Sequence, residues 1–574
     1  MSLMKTAEAL LAMLKKYDVE YVFGLPGETT LGLYHAWEKF DEITHVMARD
    51  ERHAVFMADG YARLSGKPGV CEGPSVGATH MIPGVVEALK SCVPLIVLTS
   101  DVPLHSEKHN MLTAFDQTAL FENITKETLT ATRGDEIPFL IQRAFRVATT
   151  GCPGPVHLRL PMDVIEEEIS ISLPPAQKPF STYPGTRPAA DRDSVAEAAK
   201  ALASCERGVM VCGQGVLASR AWDEVAETAE YFGLAVGTTI NGKGSIAENH
   251  PLSLGVTGSR GSSAFSNSFL EEADLVFFVG NSTDSVGTDG GTLPRAGSEA
   301  RFVHLNLNER DLGNACGNGV LLHGDVKSTL RALLDTARQN RLVPSCDMRP
   351  VVAKRRGAFS GKKRGENLPE GLLDPLQAVE AITTAMPPDT VIVADPGMSA
   401  VYPAAFWKVP AAGRRFVTNY AMGALGYGLP AALGASFALP EETTVLNMTG
   451  DGSFGFVTGE LETAARLGRN VKIVLFNNKS YGWIRATNRF SYGGRNFATD
   501  FVEVDYVKLA ESFGLQAYRA YPKDSLHAVL PSFFRTKGPA LLELPVPPED
   551  ECIPPVPEWA KKAEKLGMEC PYWR

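Results

Sequence analysis

Gly450-Asp451-Gly452-Ser453 follows an apolar run and opens a helical pattern, and a second apolar run, Val471 to Phe476, ends in Asn477-Asn478. A tight glycine turn at the carboxyl end of a strand lets phosphate approach backbone N–H groups at the next helix start. Asp451 and the Asn478 side chain add hard oxygen ligands, which suit Mg²⁺ bridging a diphosphate. The 24 residues from Ser453 to Phe476 leave room for a helix and a strand between the two ends. A solitary Gly-Asp-Gly is a common loop; strand, turn, helix, strand and Asn-Asn together point to diphosphate chemistry.

A second constellation lies near the start of the chain. Phe23-Gly24-Leu25-Pro26-Gly27-Glu28 reads as a strand entering a turn, and Arg49-Asp50-Glu51 leads into a helix through Asp59-Gly60-Tyr61-Ala62-Arg63. Ser65-Gly66-Lys67-Pro68-Gly69-Val70 and Gly151-Cys152-Pro153-Gly154-Pro155-Val156 are further glycine-punctuated turns before strands.

The elements that must position these residues can be read from the apolar pattern. Short β-branched runs alternate with amphipathic stretches in three blocks. In the first they are Tyr21 to Phe23, Gly69 to Cys71, Leu95 to Leu98 and Val156 to Leu158. In the second they are Val209 to Cys212, Leu275 to Val279 and Phe302 to Leu305. In the third they are Val391 to Val393, Thr444 to Leu446, Ile473 to Leu475 and Ala540 to Leu544. Continuous apolar strands separated by helices predict parallel sheets covered on both faces. The fold class is therefore α/β, with three doubly wound parallel-sheet domains in series. Leu173 to Arg192 and Arg341 to Leu373 read as linkers, the second carrying a basic cluster (Lys354, Arg355, Arg356, Lys362, Lys363, Arg364) as a solvated connector. Leu10, Leu11 and Leu14 share one helical face, so the N-terminus reads as the first helix of the fold rather than a signal peptide.

At 574 residues the chain is too long for one core. Its net charge of −10 argues against nucleic acid or an anionic membrane as the main partner. Nine cysteines without a Cys-x-x-Cys pair read as reduced thiols of a cytoplasmic protein.

Taken in order along nearly the whole chain, these motifs resemble the acetolactate synthase-like branch of thiamine-diphosphate enzymes, which includes acetohydroxyacid synthase, pyruvate oxidase and benzoylformate decarboxylase. The resemblance implies a pyrimidine-binding domain at 1–172, a central domain at 190–340, a diphosphate- and Mg²⁺-binding domain at 370–545 and a C-terminal tail at 546–574, which either drapes over a neighbouring domain or is a mobile end. It implies a 2-oxo acid decarboxylase or carboligase working through a C2 ylid and an enamine, with thiamine diphosphate and Mg²⁺ as cofactors. The carboxylate that hydrogen-bonds the cofactor's pyrimidine must be buried and able to hold a proton, and Glu51 matches that position; Asp50 and Asp59 do not fit the motif. Within Asn419 to Pro430, Leu425 matches the apolar wedge under the bent cofactor and the Gly423 carbonyl the acceptor of its amino group. Gly397 and Ser399 match a loop that touches the diphosphate, and Gly450, Asp451, Gly452, Ser453, Asn478, Tyr481 and Gly482 match the diphosphate signature. The implied Mg²⁺ ligands are Asp451, Asn478 and the backbone carbonyl of Ser480. A homodimer or homotetramer is implied, with small-molecule 2-oxo acids as substrates and no nucleic acid or membrane partner.

The chain also departs from the best-known members. Glu28 replaces the second glycine of the first turn, His80 closes a changed GPGATN segment, Phe115-Asp116-Gln117 stands for Phe-Gln-Glu, and Leu425 for the usual Met. Glu28, His80 and Gln117 are therefore the expected substrate-facing residues, with helix packing an equal reading for His80. FAD is not favoured, because Gly280 to Ser285 lacks the Arg that flavin-binding members place there. The alternatives are an FAD-linked oxidase or a non-decarboxylating C–C lyase of the same family, and then a non-catalytic cofactor-binding homologue.

Overall fold

All of the apolar runs named above form strands in the computed structural model, which describes residues 2–294, 300–314, 317, 319–359, 371–521 and 523–568. Three six-stranded sheets result. The first runs, edge to edge, Thr44–Met47, Tyr21–Gly24, Gly69–Gly73, Leu95–Asp101, Val156–Pro161, Glu127–Thr130. The second runs Ser253–Val256, Ala235–Thr238, Gly208–Cys212, Leu275–Val279, Arg301–Asn306, Gly319–His323. The third runs Phe416–Thr418, Val391–Ala394, Val445–Gly450, Val471–Asn477, Ala540–Pro545, Gln516–Arg519. Neighbouring strands are parallel throughout. Parallel strands need crossovers, and the helices that supply them cover the sheets.

The chain divides into two compact units. One comprises Met1–Thr186, Ala421–Thr443 and Val457–Arg469. Its core gathers Leu10, Leu11 and Leu14 of the helix Thr6–Lys16 with Ile96, Leu98, Ile141 and Leu158, so the N-terminal stretch is the first helix of the fold. In the same unit the helices Glu51–Ser65 and Gly428–Ser436 cross backbone to backbone. A Cβ at Gly434 would lie 1.9 Å from the Met57 carbonyl oxygen, and one at Gly60 would lie 2.1 Å from that of Ala431. Gly434→Ala therefore has no flexible side chain to push aside. It should lower the thermal midpoint by several degrees, from overpacking worth about 1–3 kcal/mol; an unchanged midpoint in calorimetry would refute this crossing.

The other unit comprises Arg187–Tyr420, Thr444–Phe456 and Asn470–Arg574 and carries the second and third sheets. One sequence expectation changes here, and an alternative left open for the tail closes. The segment read as an aperiodic connector forms the helix Arg349–Phe359. Val352 is buried, Arg355 Nη1 donates to Glu272 Oε1 at 3.0 Å and stacks over Phe269, and Arg356 donates to the Ser253 carbonyl. These arginines spend their charge on a protein surface rather than in solvent; Lys362, Lys363 and Arg364 lie outside the described residues. The tail is not a loose end over its described length, because Trp559, Ala560 and Ala563 of the helix Pro557–Lys565 join the third sheet's core and Trp559 packs on Trp483. No helix among the described residues is long and apolar enough to cross a membrane.

Lys472 offers a pH test of this unit. It is fully buried on a central strand, its Nζ donating to Asn470 Oδ1 at 2.7 Å and to the Thr536 carbonyl at 2.9 Å. Burial pushes its ammonium down to about 8. Between that value and the unfolded value of about 10.4, the unfolded chain binds more protons, so stability should rise with pH across that window. Urea titrations at stepped pH would show the rise in wild type and its loss in Lys472→Met; an equal rise in both would assign it elsewhere.

Candidate functional site

The first unit holds one set of candidate residues. Asp50 caps the helix Glu51–Ser65, its Oδ1 accepting the Arg52 N–H at 2.8 Å, which places Glu51 on the first turn. Glu51 is only 4% exposed. Its Oε2 lies 2.9 Å from His80 Nδ1, and a Cβ at Gly77 would sit 2.4 Å from its Oε1. The glycine in the changed segment thus makes space for the carboxylate, and the histidine that ends that segment bonds it. His80 is half exposed, so it is a partner of Glu51 rather than a helix-packing residue.

Glu460 braces the Glu51 turn from both sides. Its Oε1 accepts the Arg49 N–H at 2.8 Å and lies 2.8 Å from His53 Nδ1. Arg52 donates toward His53 Nε2, so Nδ1 carries the proton given to Glu460. Sequence reasoning passed over Glu460, one of two acids in the first turn of the helix Glu460–Leu467 with no motif to mark it.

Glu28 is exposed and opens a short turn to Thr30. That turn is stitched to the segment before His80, because Thr29 Oγ1 accepts the Ser75 N–H at 2.9 Å and Gly27 has no room for a side chain against Pro74. Gln117 stands differently from expectation. It is fully buried, with Nε2 donating to the Ser100 carbonyl at 3.0 Å and Oε1 accepting from Thr99 Oγ1 at 2.5 Å. Its amide is spent inside the fold, which removes it from the substrate-facing set. Gly423 and Leu425 lie in the turn preceding the helix Gly428–Ser436; Gly423 has φ of 76° and Gly426 of 83°, a left-handed pair that only glycine adopts without strain. Leu425 is half buried.

The second unit holds the other set. Gly450 pairs with Phe476 across the parallel strands Val445–Gly450 and Val471–Asn477, so both strands end side by side. Asp451 follows one end and Asn478 the other. Asp451 is buried, its Oδ1 accepting the Gly452 N–H at 3.0 Å, while Oδ2 has no hydrogen bond; Ser453 Oγ, also buried, has none. Burial pushes the Asp451 carboxyl up to about 7, the amides of Gly452, Lys479 and Asn478 offsetting part of the effect. Asn478 Oδ1 accepts from the Ser480 N–H at 3.0 Å, and its Nδ2 donates to Glu549 Oε2 at 2.8 Å.

Glu549 belongs to the tail and was not expected at this site. Burial, and then the nearby Asp451, push its carboxyl up to about 7. A Cβ at Gly482 would collide with its Oε2, and Gly397, at φ of 108°, faces its Oε1. Ser399 is turned inward, its hydroxyl donating to the Asp395 carbonyl at 2.9 Å, and Tyr481 packs over Gly452 and against Phe501. A buried carboxylate with one unmatched oxygen, beside an oriented Asn oxygen at two strand ends, is a donor set of the hard kind that Mg²⁺ takes.

Comparison with known proteins covers nearly the whole chain. The chain matches the thiamine pyrophosphate enzyme N-terminal TPP binding domain over residues 4–120, the central domain over 195–333 and the C-terminal TPP binding domain over 395–544. It is 32% identical to a probable acetolactate synthase large subunit of Methanocaldococcus jannaschii, over 96% of this chain and 94% of that protein. It is 29% identical to the acetolactate synthase isozyme 1 large subunit of Escherichia coli, over 98% and 97%. The acetolactate synthase of Arthrospira platensis is likewise 29% identical over 98% and 97%.

Proposed function

Because the chain belongs to the thiamine pyrophosphate-dependent enzymes of acetolactate synthase type, we propose that it is a Mg²⁺-dependent carboligase, which decarboxylates a 2-oxo acid and joins the remainder to an acceptor carbonyl. Thiamine diphosphate, when bound, supplies a carbon that stabilises the negative charge left by CO₂. The observation that carries the reading is Glu51, a buried carboxylate held at a helix start by Asp50 and Glu460.

In this reading Asp451, Asn478 and the Ser480 carbonyl hold Mg²⁺, and the amides of the Gly450–Ser453 turn receive the diphosphate. Gly397, Tyr481 and Gly482 line the same end. Gly423 offers its carbonyl and Leu425 its side chain to the pyrimidine end, where Glu51 holds or releases a proton at its carboxylate. His80, bonded to Glu51 through Nδ1, presents its other ring nitrogen to the substrate, with Glu28 on the adjoining turn. These two make the substrate end more polar than one built for two pyruvates. The working form is a homodimer or homotetramer, read by mass in solution.

The test is product analysis with Mg²⁺, thiamine diphosphate and a panel of 2-oxo acids offered singly and in pairs. CO₂ release with a hydroxyketone or hydroxyketo acid product supports the reading. Aldehyde alone would make the enzyme a decarboxylase, and no CO₂ from any substrate would sink the 2-oxo acid assignment.

A further inference from the structure

A buried charge cluster in the first unit takes no part in the chemistry described so far. Arg63 and Asp59, on the helix that Glu51 opens, and Glu87, on the helix Ile82–Lys90, are each almost wholly shielded from solvent. Arg63 Nε donates to Asp59 Oδ1 at 2.7 Å, and Arg63 Nη2 donates to Glu87 Oε1 at 3.2 Å. Ser91 Oγ donates to that same Glu87 oxygen at 2.5 Å. The remaining oxygen, Glu87 Oε2, accepts the backbone N–H of Met422 at 2.8 Å. Tyr427 donates its hydroxyl to Asp59 Oδ1 at 2.6 Å.

The turn 422–427 is thus held at both ends by carboxylates that share one guanidinium. Between those ends lie Gly423 and Gly426, both left-handed, and Met422 itself is 52% exposed. A turn with two glycines is free to take more than one shape, so the ties at its two ends matter. The cluster supplies both of those ties, and Asp59 and Arg63 of the cluster stand on the helix that carries Glu51.

We propose that Glu87 is a positioning residue, which sets the place of the Gly423 carbonyl and Leu425 by tying their turn to the Glu51 helix through Arg63. The proposal rests on the reading of Gly423 and Leu425 as cofactor contacts. It differs from a purely structural role in what it predicts, because the damage from losing Glu87 should appear in the turn and in turnover rather than in cofactor affinity.

The experiment uses the full-length protein with Glu87→Ala and Glu87→Gln. Amide hydrogen exchange is followed by mass spectrometry, with and without Mg²⁺ and thiamine diphosphate. In Glu87→Ala, exchange in a peptide spanning 421–427 should quicken about tenfold, while the strand Val471–Asn477 exchanges as in wild type. The near-ultraviolet dichroism of the bound pyrimidine should change, and kcat should fall about 10²-fold, the scale of a small misplacement at the reacting centre. KM and the cofactor Kd should stay within about threefold. Glu87→Gln keeps an acceptor for the Met422 N–H but loses the charge facing Arg63, so its exchange at 421–427 should fall between that of wild type and alanine, and wild-type exchange in it overturns the role if the alanine variant does not fold. Unchanged exchange at 421–427 in a folded variant, or equal loosening throughout, overturns the role of Glu87. A wild type that binds no thiamine diphosphate would instead bring down the reading of the turn, and this proposal with it.

Discussion

Glu51→Gln should lower turnover by about 10²–10⁴-fold, the range of general acid–base assistance, or about 3–5 kcal/mol of barrier, while thiamine diphosphate still binds. Glutamine has the size of glutamate and keeps a hydrogen-bonding group toward His80 Nδ1, which lies 2.9 Å from the carboxylate in the wild type. It cannot gain and lose a proton. The Asp50 cap and the Glu460 brace on Arg49 do not involve the Glu51 side chain, so the helix start should be unaltered. The measurement is the deuterium exchange rate of the bound cofactor's acidic C–H, read by NMR after acid quench, beside the cofactor Kd. Slow exchange with an unchanged Kd places Glu51 in proton transfer. Wild-type exchange in the variant would remove Glu51 from the mechanism and revive a non-catalytic homologue.

Asp451→Asn should act in the opposite way, on binding rather than on chemistry. The carboxylate is buried, has one unmatched oxygen and is pushed up to about 7 by burial, so the apo protein gains little from its charge. Removing that charge should leave the apo thermal midpoint unchanged or slightly higher. Loss of an anionic ligand should weaken Mg²⁺-dependent cofactor binding by more than about 10²-fold, since even a group that only orients a ligand is worth 10–100-fold. The stabilisation that cofactor confers on wild type follows RT ln(1 + [L]/Kd), so the midpoint rise with Mg²⁺ and thiamine diphosphate should largely vanish in the variant. A full rise in Asp451→Asn would show that the ion is held elsewhere.

The interior strands were legible in the sequence and the edges were not. Thr44–Met47, Glu127–Thr130, Ser253–Val256, Gly319–His323, Phe416–Thr418 and Gln516–Arg519 are the outer strands of the three sheets. An edge strand pairs on one side only and needs no continuous apolar run; Gln516–Arg519 has no fully buried residue, and Phe416–Thr418 is buried throughout but only three residues long. Ala235–Thr238 is the interior strand that escaped, because its small residues carry no β-branched run beyond Val236. The site shows the same division. Asp451, Asn478 and Glu51 stand in compact motifs whose spacing reports the turn they make. Glu460, Glu549 and Glu87 act on Arg49, Asn478 and Met422 from far along the chain. A glutamate among other acids in a helix start or a Pro-rich tail looks like any solvated acid until the fold buries it. Gln117 shows the converse, since a polar residue near a motif was read as facing substrate, whereas Thr99 and Ser100 take up its amide.

The first unit takes Ala421–Thr443 and Val457–Arg469 as well as Met1–Thr186. Its pieces are therefore made far apart in time. At about 5–20 residues per second on the ribosome, Arg469 emerges tens of seconds after Thr186. Through that interval the nascent helix Glu51–Ser65 has no partner for the notch at Gly60, against which Ala431 later packs. The six strands of the N-terminal sheet are all made by Pro161, yet the outer face of the helix Glu51–Ser65 stays bare until Gly428–Ser436 arrives, and such a bare face is what a holdase chaperone recognises. For the same reason a gene fragment ending near residue 186 should yield a chaperone client rather than a folded domain.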